Sequence, residues 1–209
     1  SEVAMESSRA SHRFRRLIAS ALLAAAIGGG LAYYFLRPIR PFIPPQFLER
    51  RAAVTKALEE LERIEDVDIQ PLTELEAKSD FEGAVTLMAR ALTANRAYEN
   101  VMATLILVGD ELGTLALAVK PDSLGEKAIE AFSSLSRFAE AERRYYQDRR
   151  ALYEKTENYY AGRAAGESAA VPEHLADLVE RVNADLEEAE RLKRDFKAAI
   201  KAFDEAMQR

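Results

Sequence analysis

Histidine is the residue type best suited to acid–base or metal chemistry, and this chain has two, His12 and His174. A di-iron helical bundle needs Glu-x-x-His motifs on two helices, but Val171 stands three residues before His174. The chain has no cysteine, so it offers no thiol nucleophile and no thiolate ligand for zinc or an iron–sulfur cluster. We therefore predict no catalytic residue, no metal site and no bound cofactor, and we expect a protein that is not an enzyme.

Glycine and charge patterns exclude two further classes of site. The glycine run Gly28-Gly29-Gly30 lies inside an apolar segment, which does not fit a phosphate-binding loop between a strand and a helix. Carboxylates instead follow the four-residue spacing of helix-surface ion pairs, as in Glu59 with Arg63. The formal net charge of −6 argues against a nucleic-acid partner, because such proteins need a basic surface.

Four polar residues occupy positions in otherwise apolar helical stripes: Asn95, Glu142, Arg149 and Asp185. Polar residues in a helix seam fix the register of packing, or they line a small ligand site. The simpler interpretation is that Arg149 pairs with Glu142 or Asp185. If these residues instead line a small ligand site, they favour a ligand-binding function.

A run of arginine and tyrosine marks the third long predicted helix. Both residue types are enriched at interface hot spots. Tyr145, Leu152 and Tyr159 fit the buried stripe of this helix, which leaves other members of the run for contact. The predicted partner-contact residues are Arg143, Arg144, Tyr146, Arg150 and Tyr153.

Leu17–Leu36 contains twenty residues without a charge, and Arg15, Arg16 and Arg37 flank it. Twenty helical residues span about 30 Å, the thickness of the hydrocarbon core of a bilayer. A signal peptide has a shorter apolar core, and a buried helix of a soluble domain normally keeps a polar face. We therefore predict a single transmembrane helix, with Tyr33–Phe35 at a membrane interface.

Small residues recur at four-residue spacing within this segment. Such residues lie on one face and let membrane helices approach closely. They predict that the anchor also associates with a second copy or with another subunit. The candidate packing residues are Ala24, Ala25, Gly28, Gly29 and Ala32.

The orientation of the predicted span is nearly balanced. Four arginines precede it within residues 1–16, and four more follow it by Arg51. Those in the tail are denser near the membrane, and the positive-inside rule then favours a cytoplasmic tail and an extracytoplasmic, periplasmic domain. The absence of cysteine is compatible with either compartment.

The rest of the chain divides into a proline-rich linker, 37–45, and a helical region, 46–209. Apolar residues recur every three or four positions there, which is typical of amphipathic helices. Val101–Val119 is also apolar, but Asp110 and Glu111 at its centre argue against a second span. We predict a short turn over Leu72–Lys78 and long helices over Gln46–Asp66, Phe81–Val119, 123–161 and Pro172–Met207.

The sequence therefore predicts an all-α protein with a single N-terminal transmembrane helix and an elongated antiparallel four-helix bundle. This layout resembles that of membrane-tethered adaptor bundles and of chemoreceptor sensor domains in bacterial envelopes, with no diagnostic motif of either. We expect a non-enzymatic scaffold or accessory subunit of a membrane complex. The alternative is a tethered sensory bundle with a ligand site between its helices.

Overall fold

The computed structural model describes residues 40–168 and 170–208. In this part of the chain 83% of the residues are helical and none forms a strand, so the predicted all-α class is confirmed. The helices are α1 (Pro45–Arg63), α2 (Pro71–Ala77), α3 (Phe81–Leu115), α4 (Asp122–Ala164) and α5 (Leu175–Met207). A short 3-10 turn, Ala116–Ala118, follows α3.

The predicted membrane helix over residues 17–36 lies outside the described residues, as do its packing residues and the basic tail. Within the described residues, one helical stretch, Phe81–Ala118, is long and apolar enough to cross a membrane by length and composition. Its apolar side chains also have a place inside the protein, because Met88, Met102 and Leu112 are completely buried.

The ends of α1 and α2 differ from the prediction. Pro45, whose missing N–H is no loss in the first helical turn, begins α1. The helix stops at Arg63 rather than at Asp66, because Ile64 takes an extended conformation. The predicted short turn at Leu72–Lys78 is the helix α2, which starts at Pro71.

Helix α3 begins at Phe81, as predicted, and the Asp80 carboxylate caps it by accepting a hydrogen bond from the Gly83 N–H at 2.9 Å. Helix α5 begins at Leu175 instead of the predicted Pro172, directly after His174, whose φ of 60° lies in the left-handed region. The turn before α5 therefore decides where that helix starts.

Neighbouring long helices run antiparallel. A short connection at Lys120 and Pro121 reverses the chain between α3 and α4, and α4 packs against α3 on one side and α5 on the other. Helix α1 lies on α3, with Arg50 Nε 2.8 Å from Glu111 Oε2 near one end and the Tyr98 hydroxyl 3.1 Å from the Ile64 carbonyl near the other.

Aromatic side chains join three helices at the end where α1 starts. Phe47 of α1 is completely buried between Phe132 of α4 and Phe203 of α5, at centroid distances of 5.4 and 5.8 Å. Arg51 pairs with Asp204 beside this cluster. The start of α1 is therefore fixed to α4 and α5 as well as to α3.

A second apolar cluster lies toward the other end of α3. Met88 and Leu92 of α3 pack with Tyr153 of α4, and Val67 and Leu72 cover them from outside. The segment after α1 therefore crosses toward α4, and α2 closes this end of the core.

Gly109 allows α3 and α4 to approach closely. A Cβ at this position would lie 2.7 Å from the Ser136 Oγ, which donates a hydrogen bond to Asp110 at 2.7 Å. Gly113 has open space beside it and plays no such part.

Candidate functional site

The centre of the polar core is Arg149, in the middle of α4, which is 7% exposed. Its side chain reaches across the helix interface toward α3 and the segment that follows α1. Four tyrosine rings surround the guanidinium, and their centroids lie 4.9 to 5.7 Å from Cζ. They belong to Tyr98, Tyr145, Tyr146 and Tyr153. Aromatic faces attract cations at this range.

Hydrogen bonds complete the environment of Arg149. Its Nε donates to Asn95 Oδ1 at 2.7 Å, and its two terminal nitrogens donate to Asp66 Oδ2 and Oδ1 at 3.1 and 3.3 Å. The Asn95 amide nitrogen in turn donates to the Tyr146 carbonyl at 2.7 Å and to Glu99 at 3.2 Å. Asn95 is completely buried, so this network satisfies an amide that has no access to water.

The network keeps Arg149 charged inside the protein. Burial acts against the charged form, but Tyr153, Tyr145 and Asp66 outweigh it, so the pKa of Arg149 is raised. Burial also raises the pKa of Tyr146 and of Tyr153, so both phenols stay neutral. The guanidinium is therefore a fixed cation held among tyrosine rings and one carboxylate.

The prediction that Asn95, Glu142 and Arg149 face the core is confirmed, since all three are buried. The predicted pairing of Arg149 with Glu142 or Asp185 is wrong, because the carboxylate it binds is Asp66. Asp66 lies 83 positions away, in the segment after α1. The sequence signal that points to it is weak: a buried arginine requires a carboxylate, and Asp66 directly follows the first predicted apolar stripe.

Of the other two seam carboxylates, Glu142 lies beside the network and Asp185 lies apart from it. Burial raises the pKa of Glu142, while the nearby charge of Lys193 and a hydrogen bond with Tyr146 oppose that shift. Asp185 faces Asp148 of α4; burial and this second carboxylate raise its pKa. Asp185 therefore does not join the other three predicted seam residues.

The predicted partner-contact residues separate into two groups. Arg143 and Arg144 are exposed, and Arg150 is half-buried, 3.2 Å from Glu99. The prediction that Tyr146 and Tyr153 face outward is wrong, because they are only 8% and 6% exposed. Tyr146 stacks on Tyr98 at a centroid distance of 4.7 Å, and this contact turns it toward α3.

A surface groove of about 690 Å³ adjoins the network. One wall consists of Glu65, Asp66 and Val67, and the other is the face of α3 from Val85 to Ala97. Asp66 belongs to both features: its carboxylate holds Arg149, yet 51% of its side chain is exposed. The Arg149 contact therefore fixes one wall of the groove.

Within residues 40–168 and 170–208, no group of three or more histidine, cysteine, aspartate or glutamate side chains is placed to bind a metal ion. His174 is exposed and lies 3.3 Å from Asp177, its neighbour one turn along α5.

No protein-family model, curated protein or solved structure matches this chain.

Proposed function

We propose that this chain is a non-enzymatic, membrane-anchored scaffold or accessory subunit that acts by protein–protein contact. In this proposal Leu17–Leu36 is the membrane anchor and residues 37–44 are a short linker, since Pro45 begins α1. Helices α1, α3, α4 and α5 form an antiparallel four-helix bundle, with α2 inserted between α1 and α3. The arginines clustered before the anchor favour a cytoplasmic tail and a periplasmic bundle.

The observation that carries the contact proposal is that the polar core binds itself. A ligand site needs polar groups that are free to meet the ligand. Here Asn95 and Arg149 direct their donors and acceptors to each other, to Asp66 and to the Tyr146 backbone. This arrangement supports a core that holds the fold together, and it removes support from the alternative, a sensor with a ligand among these residues.

The groove beside α3 is the surface that we assign to a partner. Helix α1 ends next to Tyr98, so it does not cover the α3 residues on the N-terminal side of that contact. The uncovered face carries small side chains, including Ala89, Thr93 and Ala97. Small side chains permit close approach of another backbone, and the groove suits a helical segment of a partner subunit. Among the predicted contact residues, the exposed Arg143 and Arg144 remain in the proposal as a second contact surface.

Charged substitutions in the groove test this assignment. We expect Ala89→Glu together with Thr93→Glu to abolish co-purification of the partner with the full-length chain in mild detergent. Both positions are exposed, so the melting temperature should stay nearly unchanged, within the ~0.5 kcal/mol typical of surface substitutions. Quantitative mass spectrometry of the purified complex, with circular dichroism on the same samples, measures both results.

Thr104→Glu is the matched control, because Thr104 is also an exposed residue of α3 but does not line the groove. The control should keep the partner. Full retention of the partner by a folded Ala89→Glu/Thr93→Glu chain contradicts the groove assignment. Loss of the partner on replacing Arg143 and Arg144 with Ser instead would move the contact to α4.

A further inference from the structure

Three large apolar side chains are exposed at the end of the helical unit where α1 begins: Leu48 of α1 itself, Phe42 and Leu117. Phe42 is 56% exposed and Leu117 is 69% exposed. They lie on two segments joined by a pair of backbone hydrogen bonds, each of 3.0 Å, between Phe42 and Lys120. The two side chains therefore belong to the same end of the unit.

Other apolar residues of both segments turn inward. Ile43 packs against the core, and Val119 is almost completely buried. In extended backbone, successive side chains point to opposite faces, so the inward position of Ile43 directs Phe42 outward. Phe42 and Leu117 are thus presented away from a core that accepts the apolar residues beside them.

This end is also where the chain arrives from the apolar segment. Five residues, 37–41, separate Leu36 from Phe42. At no more than about 3.6 Å per residue, Phe42 lies within about 22 Å of Leu36 along the chain. If Leu17–Leu36 crosses a bilayer, this tether holds the exposed end close to the lipid headgroups.

Two of the basic side chains at this end are paired with carboxylates. Lys120 pairs with Asp122 at 2.5 Å, and Arg51 pairs with Asp204. A surface with paired charges and projecting apolar side chains suits the boundary between headgroups and acyl chains better than it suits an ionic contact with anionic lipid. Contact with that boundary is insensitive to salt, because salt screens charge interactions only.

We propose that this end of the helical unit rests on the bilayer surface, with Phe42 and Leu117 inserted at the boundary between headgroups and acyl chains. The inference rests on the membrane anchor of the proposed function. It adds that the bundle stands on the membrane through its own apolar contact and is not merely tethered above it.

Tryptophan fluorescence tests the proposal directly, because the chain contains no tryptophan of its own. Full-length Phe42→Trp and Leu117→Trp chains are reconstituted in phosphatidylcholine vesicles that contain brominated lipids. The control is Val171→Trp: Val171 is 68% exposed and lies in the connection before α5, at the opposite end of the unit. We expect brominated lipid to quench the Phe42→Trp and Leu117→Trp chains several-fold more strongly than the Val171→Trp chain, with no change at high salt.

The outcomes separate this inference from the anchor. Chains that co-float with vesicles but show equal quenching at positions 42, 117 and 171 overturn the inference and leave the anchor intact. Quenching that disappears at high salt overturns the apolar contact in favour of an ionic one. Chains that fail to co-float with vesicles overturn the anchor and the inference together.

Discussion

Replacing Arg149 with Met is expected to lower the free energy of unfolding by about 3 kcal/mol, the low end of the range for removing one partner of a buried ion pair. The substitution leaves the completely buried Asn95 without its guanidinium donor and removes the cation from four tyrosine rings. The cost stays at the low end because Asp66, half-exposed, can turn to water. Urea unfolding followed by circular dichroism measures the change.

Arg144→Met is the matched control, since Arg144 is an exposed arginine of the same helix. It should change the free energy of unfolding by no more than about 0.5 kcal/mol. Equal unfolding midpoints for Arg149→Met and the unmodified chain would show that the buried network contributes nothing to stability, and the structural role assigned to it would be wrong.

Truncation of Phe47 to Ala is expected to cost about 3–5 kcal/mol, as is typical for buried aromatic side chains. Phe47 is the residue through which the first turn of α1 reaches Phe132 and Phe203. Its removal leaves a cavity at the junction of α1, α4 and α5. The same urea titration should show a lower midpoint with little change in helical signal before the transition.

The neighbouring residue provides the control for this prediction. Leu48 is an apolar residue of the same helical turn but is exposed, so Leu48→Ala should change the free energy of unfolding by no more than about 0.5 kcal/mol. A Leu48→Ala effect as large as that of Phe47→Ala would mean that α1 packs with a different face toward the core.

Sequence periodicity predicted the long helices because each buries a stripe that recurs every three or four residues. It misplaced their ends where a local turn decides. His174, in the left-handed region, precedes α5 and delays its start from the predicted Pro172 to Leu175. The conformation of such a turn depends on contacts with other parts of the chain, and the apolar repeat of one helix does not reveal them.

The tyrosine error has a geometric cause. The buried stripe of α4 follows the predicted positions through Phe138 and Glu142, and then passes through Tyr146 and Tyr153 rather than Tyr145 and Leu152. A strict seven-residue repeat drifts by about 20° per heptad on a straight α-helix. Over a helix of 43 residues that drift moves the buried face by one position.

The Arg149 network shows where sequence reasoning stops for the candidate site. Position in the apolar stripe was enough to predict that Asn95 and Arg149 are buried. The carboxylate partner, Asp66, comes from a segment whose path is set by the packing of Val67 and Leu72 on Met88. Because that path is a tertiary property, neither the pair nor the groove beside it was predictable from spacing.

Membrane fractionation of the intact chain and of a chain lacking residues 1–40 is the direct test of the membrane anchor at Leu17–Leu36. We expect the intact chain to stay with membranes through a high-salt wash and alkaline carbonate, since a spanning helix is not held by charge. The shortened chain should be released and keep its helical spectrum. Release of the intact chain by either wash contradicts the anchor. A shortened chain that resists both washes contradicts the single span, because Phe81–Ala118 would then cross the membrane.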